Sequence, residues 1–290
     1  MKAKNEWALA PEGILEKIVM AVSYHVVVCA SVVPDPLQTL EPAVGLAAPA
    51  LKNEMVLPAV LDPWAASALY EAAVLVAKHP GSKLFLVSLG PKAKLQQVMM
   101  TVAQKVAFEL VPVDGPVGGF ADAHATAAAL AQAIVAIPGI DLAKLLLFGG
   151  WESATRGAGV TLALIGERLG ITDQFQGVDQ IAVRDDGSFE VLERVEGGKH
   201  QVSVCAGAPA VLGWATGNLA EPRNNPQIGM SNMRTIMPAL QKARAATLDA
   251  NTLRYIAVNL SRQQRTTRVV KDMNADEIAK EIIAWIGNDS

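Results

Sequence analysis

Leu142-Ala143-Lys144-Leu145-Leu146-Leu147-Phe148-Gly149-Gly150 is a near-continuous apolar run closed by a glycine pair. It does not alternate apolar and polar residues, as a strand with one wet face does. Runs of this kind suit a parallel sheet covered by helices on both faces. An Ala-rich helical stretch over residues 122–137 precedes it, and a helix is expected over about 157–169 behind it. Further upstream, residues 24–33, 83–89 and 108–113 read as strands. Asp62-Pro63 opens a helix running to about Lys78, because Asp caps free N–H groups and Pro suits the first turn. His79-Pro80 ends it, and Gly90-Pro91 opens another helix reaching to about Ala107. Strands alternating with helices of this length predict an α/β fold with a doubly wound, mostly parallel sheet.

After Gln174 the pattern changes. Residues 177–184, 188–195 and 200–206 are strand-like, and Asp185-Asp186-Gly187 and Gly197-Gly198 separate them as turns. This region is expected to be antiparallel and appended to the sheet edge. Residues 210–216 form a last apolar strand. The stretch 217–261 reads as irregular, with Met230, Met233 and Met237 near a small helix, and an Arg-rich arm precedes a terminal helix over 275–286. The expected organisation is an N-terminal extension (1–23), an α/β domain (24–216), a loop region (217–248) and a C-terminal arm with its helix (249–290).

Composition narrows the function classes. The 290 residues are 51% hydrophobic and 18% charged, an apolar balance suggesting a surface covered by a partner. No apolar run reaches the roughly 18–20 residues of a membrane span. Residues 1–23 lack both a signal-peptide core and a transit-peptide composition, so the expected location is cytoplasmic. Cys29 and Cys205 sit in apolar runs as buried thiols, and His25, His79, His124 and His200 are scattered without metal-ligand spacing. There is no nucleophile elbow and no G-x-x-x-x-G-K-[ST] loop. The net charge is −3, yet eight Lys/Arg face one acid between Arg234 and Lys271. With Tyr255 as that stretch's one aromatic, it reads as solvated or partner-facing surface rather than a nucleic-acid site.

In open α/β sheets, ligands sit beyond the carboxyl ends of the strands, where the strand order reverses. Those ends here carry Cys29-Ala30-Ser31, Ser88-Leu89-Gly90-Pro91 and Gly149-Gly150-Trp151-Glu152-Ser153. Small residues there let a nucleotide approach the backbone. The first strand lacks a G-x-G-x-x-G turn, which argues against a dinucleotide dehydrogenase. Phosphate binding falls instead to Ser153-Ala154-Thr155-Arg156-Gly157-Ala158-Gly159-Val160-Thr161, with backbone N–H groups, hydroxyls and one Arg at a helix start. The same Gly-Ala-Gly run serves equally as a close-packed helix start.

These residues carry a family resemblance. Val26-Val27-Val28-Cys29-Ala30-Ser31-Val32-Val33-Pro34-Asp35 resembles the first strand of the β subunit of electron transfer flavoproteins. Leu61-Asp62-Pro63-Trp64 with Ala68-Leu69-Tyr70-Glu71-Ala72-Ala73 is similar to that family's next helix, and Val87-Ser88-Leu89-Gly90-Pro91 to its second nucleotide-contacting turn. Glu193-Arg194-Val195-Glu196-Gly197-Gly198, Ala208-Pro209-Ala210-Val211 and Glu221-Pro222-Arg223 follow in the family's order.

The resemblance implies a Rossmann-like, adenine-nucleotide-binding sheet in a heterodimer whose α subunit holds most of a redox-active FAD. It implies electrons arriving from a flavoprotein dehydrogenase and leaving to a quinone oxidoreductase. The β chain's own nucleotide is AMP in one type and a second FAD in the other. By motif, the nucleotide contacts are Cys29, Ala30, Asp62, Pro63, Trp64, Leu89 and Gly90. To these the phosphate-side segment adds Glu152, Ser153, Ala154, Thr155, Arg156, Gly157, Ala158, Gly159, Val160 and Thr161. Gly157-Ala158-Gly159 departs from the family's Asp/Thr-bearing loop. Residues 224–237 are longer than the family's dehydrogenase-docking segment, so Ile228, Met230 and Met233 are read either as docking residues or as loop packing. Two other readings are a nucleotide-sensing regulator of the universal-stress type and a hydrolase or ligase of the same superfamily. Length and C-terminal elements weigh against the first, and the absent phosphate-loop chemistry against the second.

Overall fold

The computed structural model describes residues 22–43, 50–116, 120–155, 159–246, 248 and 269–288. Most of the N-terminal extension and of the Arg-rich arm therefore lie outside the described residues. In chain order the strands are β1 (His25–Cys29), β2 (Val32–Pro34), β3 (Pro42–Ala43), β4 (Ala50–Leu51), β5 (Ala59–Leu61), β6 (Lys83–Gly90), β7 (Glu109–Asp114) and β8 (Leu145–Gly150). They continue with β9 (Gln174–Val183), β10 (Phe189–Val195), β11 (Lys199–Cys205), β12 (Ala210–Trp214) and β13 (Arg244–Ala245). The α-helices are α1 (Pro63–Lys78), α2 (Lys92–Val102), α3 (Ala123–Val135), α4 (Val160–Arg168), α5 (Pro226–Gln241) and α6 (Ala275–Asn288).

The main sheet has the order β11-β10-β9-β12-β8-β1-β6-β7-β13. Every pairing from β9 to β13 is parallel, while β10 runs antiparallel to both β9 and β11. The chain moves outward from β1 through β6 to β7, then returns to the other side of β1 as β8. Strand order thus reverses between β1 and β8, as a doubly wound fold requires.

The pleat explains the unbroken apolar runs. Val26, Val28, Leu146 and Phe148 point to one face, against residues of α1, α2 and α5. Val27, Leu145 and Leu147 point to the other, against α3 and α4. Both faces are dry, so successive side chains are apolar. The helices come close where side chains are small: a Cβ on Gly166 of α4 would lie 2.5 Å from Val211 of β12.

Several expectations are corrected. Residues 24–33 do not form one strand: the chain leaves the sheet after Cys29, and β2 pairs antiparallel with β5 in a separate two-stranded ribbon. Residues 142–144 form a 3-10 turn before β8, with Asp141 capping Ala143 N–H at 3.0 Å. The helix expected from Gly157 begins at Val160, and the one expected to reach Ala107 ends at Val102.

The largest correction concerns residues 217–261, read as irregular with only a small helix. They contain the 16-residue α5. Asn225 Oδ1 caps the N–H groups of Gln227 and Ile228, and Pro226 occupies the first turn. The amide of buried Asn232 donates 2.7 Å hydrogen bonds to the carbonyls of Ala103 and Val106 beyond α2. Gly229, Asn232, Ile236 and Leu240 are the buried stripe. Docking, rather than intrinsic propensity, holds a helix that contains Gly229 and Pro238.

The antiparallel arm is tied down at one carboxylate. Asp179 of β9 is buried and accepts two hydrogen bonds from Arg194 of β10, at 3.0 and 2.8 Å. His200 of β11 lies 2.9 Å away. The same guanidinium donates to Thr216 Oγ1, and Asn218 donates to the Asp179 carbonyl while its own N–H bonds Glu71 of α1. By contrast α6 exposes Ile278, Ile282, Ile283, Trp285 and Ile286. Among the described residues, no helix is long and apolar enough to cross a membrane.

Candidate functional site

The fold places a cleft of about 150 Å³ at the β1/β8 reversal. Its floor is the strand ends: Cys29, Ala30 and Ser31 after β1, and Gly149 and Gly150 closing β8. Gly150 is sterically required, and Gly149 is closely packed. A Cβ on Gly149 would sit 2.9 Å from Leu162, and one on Gly150 would sit 2.6 Å from Trp64 Cβ and 2.7 Å from the Glu152 carbonyl. Burial pushes the Cys29 thiol up to about 12, so this cleft residue is a neutral thiol at physiological pH.

Asp62 organises one wall. As N-cap of α1, its Oδ1 accepts from Trp64 N–H at 3.1 Å. Its Oδ2 accepts from Ser153 Oγ at 2.8 Å and from Ala154 N–H at 2.9 Å. Ser153 Oγ in turn lies 2.9 Å from Thr155 Oγ1. One carboxylate thereby fixes both the start of α1 and the loop leaving β8. Burial raises its pKa above the usual aspartate value, and the hydrogen bonds from Ala154, Ser153 and Trp64 pull against that rise.

The opposite wall is the start of α4. Gly159 is the N-cap, with φ at +64° and no side chain to cap the first-turn N–H groups. A Cβ there would lie 2.0 Å from the Trp151 carbonyl, so only glycine fits. Val160, Thr161 and Leu162 follow along the cleft. A third wall comes from α3, through Ala123, Thr126 and Leu130.

Of the residues singled out from the sequence, Cys29, Ala30, Asp62, Leu89, Glu152, Ser153, Thr155, Gly159, Val160 and Thr161 line this cleft. Trp64 stands behind it, against Gly150, and Ala154 serves Asp62 through its backbone. Pro63 forms the first turn of α1, and Gly90 packs against Leu95. Arg156, Gly157 and Ala158 lie outside the described residues. The α3 wall was missed. Its alanines carry no chemical signal, and only the topology brings that helix beside α4. On α5, Met230 is exposed, while Ile228 and Met233 are half-buried.

The strand ends are trimmed to Ala and Gly, and a helix N-terminus without a side-chain cap among the described residues faces the space, an arrangement suited to an anion. Fold and cleft define a doubly wound α/β protein with a cleft at its switch point. A family model described as an electron transfer flavoprotein domain matches residues 53–252, more than half of the chain, and the chain belongs to that family. No curated protein matches it significantly.

Proposed function

We propose that this chain is the β subunit of a heterodimeric electron transfer flavoprotein. It binds AMP or a second FAD in the β1/β8 cleft and completes the FAD site of an α subunit. It accepts electrons from a flavoprotein dehydrogenase and hands them to a quinone oxidoreductase. Bound flavin supplies the redox chemistry, and the chain's own residues bind, orient and shield. The observation that carries this reading is the cleft itself, built in a member of this family where strand order reverses. The motifs around it resemble those of the β type in order, from Val26 to Arg223.

Two further features agree with a heterodimer. The aliphatic and Trp285 side chains of α6 stay exposed in the isolated chain, and such a stripe needs a covering surface. Met230 stands out from α5, whose other side is fixed to the body, so a flexible apolar side chain is offered on a rigid base. The expected location is the cytoplasm.

Co-expression with a flavin-binding α chain tests the reading. The expected result is a yellow heterodimer that releases FAD on denaturation, together with AMP or FAD beyond one per heterodimer. A chain that purifies as a colourless monomer beside its candidate α chain overturns it.

A further inference from the structure

Helix α5 has two unlike faces. Gly229, Asn232, Ile236 and Leu240 are buried against the body, while Gln227, Met230, Ser231 and Arg234 are exposed. Gln227, Met230 and Arg234 stand three and four residues apart, so they form one line along the outer face. Met230 is the apolar member of that line.

The charges along this element have one sign. From Pro222 to Ala246 they are Arg223, Arg234, Lys242 and Arg244, with no Asp or Glu between them. All four are exposed, and none forms an ion pair among the described residues. The elements packed against α5 do little to neutralise them. Helix α2 carries no acid. On β7, Asp114 accepts from the Lys92 N–H at 3.0 Å, and Glu109 pairs with no cation among the described residues. Upstream of the helix, Glu221 is held by Lys105 Nζ at 2.6 Å. An unopposed row of cations raises the local potential and draws in an acidic counterpart.

The rest of the face narrows the class of that counterpart. No aromatic residue occurs from Pro222 to Ala246, so there is no platform on which bases could stack. A membrane-surface helix would turn a row of large apolar side chains outward, and here Met230 stands among polar and cationic neighbours. One adaptable apolar anchor within a cationic rim is the pattern of a protein interface.

We propose that the outer face of α5 receives an acidic protein surface, that of the electron-donating flavoprotein, with carboxylates ringing an apolar socket for Met230. Arg234, one turn beyond Met230 on the same line, selects that partner by charge. The proposal rests on the docking of the donor at α5 and adds the chemistry of the partner's face.

Stopped-flow reduction of the heterodimer by its donor dehydrogenase, from about 25 to 400 mM NaCl, tests it. The second-order rate is expected to fall steeply with salt. Arg234→Glu should slow reduction by about tenfold at low salt and by less than about twofold at high salt. Lys199→Glu makes the same charge change on β11, at the opposite edge of the sheet from the β7 side where α5 packs. It should leave the rate within about twofold. Polyglutamate, an acidic polypeptide, should inhibit the wild type and act weakly on Arg234→Glu. Salt-independent reduction, or equal slowing by Arg234→Glu and Lys199→Glu, overturns the acidic partner, while a slowed Met230→Glu variant still upholds docking at α5. If neither Arg234→Glu nor Met230→Glu slows reduction, the docking reading falls with the inference. If duplex DNA or phosphatidylglycerol vesicles inhibit and polyglutamate does not, the face belongs to a nucleic acid or a membrane and the inference is overturned.

Discussion

Ser153 Oγ donates a 2.8 Å hydrogen bond to Oδ2 of Asp62, a carboxylate that is 1% exposed. The bond joins the loop leaving β8 to the helix that follows β5, across 91 residues of sequence. It converts two separate segments into one wall of the cleft, and the first prediction follows from it.

Burial raises the Asp62 pKa, so the folded chain holds this proton more tightly than the unfolded chain does. Stability from this group is therefore greatest at low pH and declines as pH rises above the ordinary aspartate value of about 3.9 toward the folded value. Asp62→Asn removes that slope. It also leaves the Ala154 N–H or the Ser153 hydroxyl without its acceptor, at about 1–3 kcal/mol. Urea midpoints measured across the acid range should show a less stable variant whose deficit relative to wild type narrows as pH rises through that window. A variant whose profile is parallel to that of the wild type would show that Asp62 does not titrate in this window.

Gly159→Ala places a methyl group where the Trp151 carbonyl stands, at a backbone angle of +64°. The α4 start must shift, at about 1–3 kcal/mol, and the cleft must deform with it. The expected outcome is a lowered melting temperature together with lost nucleotide retention in the purified complex. Retention at wild-type levels would place the ligand away from α4.

Met230 is 64% exposed and Ile236 is fully buried on the same helix. Met230→Glu should slow reduction by the donor dehydrogenase while changing stability by less than about 0.5 kcal/mol. Ile236→Ala should do the reverse, costing about 2–5 kcal/mol through the cavity it leaves, with normal reduction of the folded fraction. Stopped-flow reduction and chemical denaturation of both variants separate docking from packing. If Met230→Glu is reduced at the wild-type rate, the donor docks elsewhere.

Asn232→Ala orphans the carbonyls of Ala103 and Val106, which its amide serves at 2.7 Å each. Loss of about 1–3 kcal/mol is expected. Because the bonds attach α5 specifically, amide exchange should accelerate there and leave β1, β6 and β8 protected. Uniform acceleration across the sheet would mean that α5 belongs to the global folding unit.

Replacing Ile282 and Ile286 of α6 with Ser tests the covered-surface reading. Both are exposed in the isolated chain, at 52% and 71%. Removing them should leave its melting temperature near wild type and abolish co-purification with the α chain. Retained co-purification would assign α6 no part in the interface.

Much of this architecture can be read from residues alone, for a physical reason. Runs such as Leu145-Leu146-Leu147-Phe148 are apolar on both pleat faces, so they announce a doubly covered parallel strand. Asp62-Pro63 announces a helix start, which it makes, and the turns at Asp185-Asp186-Gly187 and Gly197-Gly198 announce the antiparallel arm. What was hidden depends on distant partners. The amphipathic stripe of α5 is interrupted by Gly229 and Asn232, residues that look wrong for a helix until the carbonyls of Ala103 and Val106 are opposite them. Ala123 and Thr126 gain meaning only when strand order brings α3 beside the β1 end. The need for Gly159 is a clash with the Trp151 carbonyl, invisible without coordinates.

The cluster around Asp179 has a mechanical consequence. Arg194 and His200 reach it from the two outer strands, Thr216 shares the guanidinium, and Asn218 continues the chain of bonds to Glu71 on α1. The arm is therefore not a flag hinged on the sheet edge but a beam clamped at its root. Through Asp179 the outer strands are bonded to the segment at 216–218, upstream of the helix that carries Met230. The outer strands and the approach to α5 thus share one bonded frame, with no free loop between them along that path.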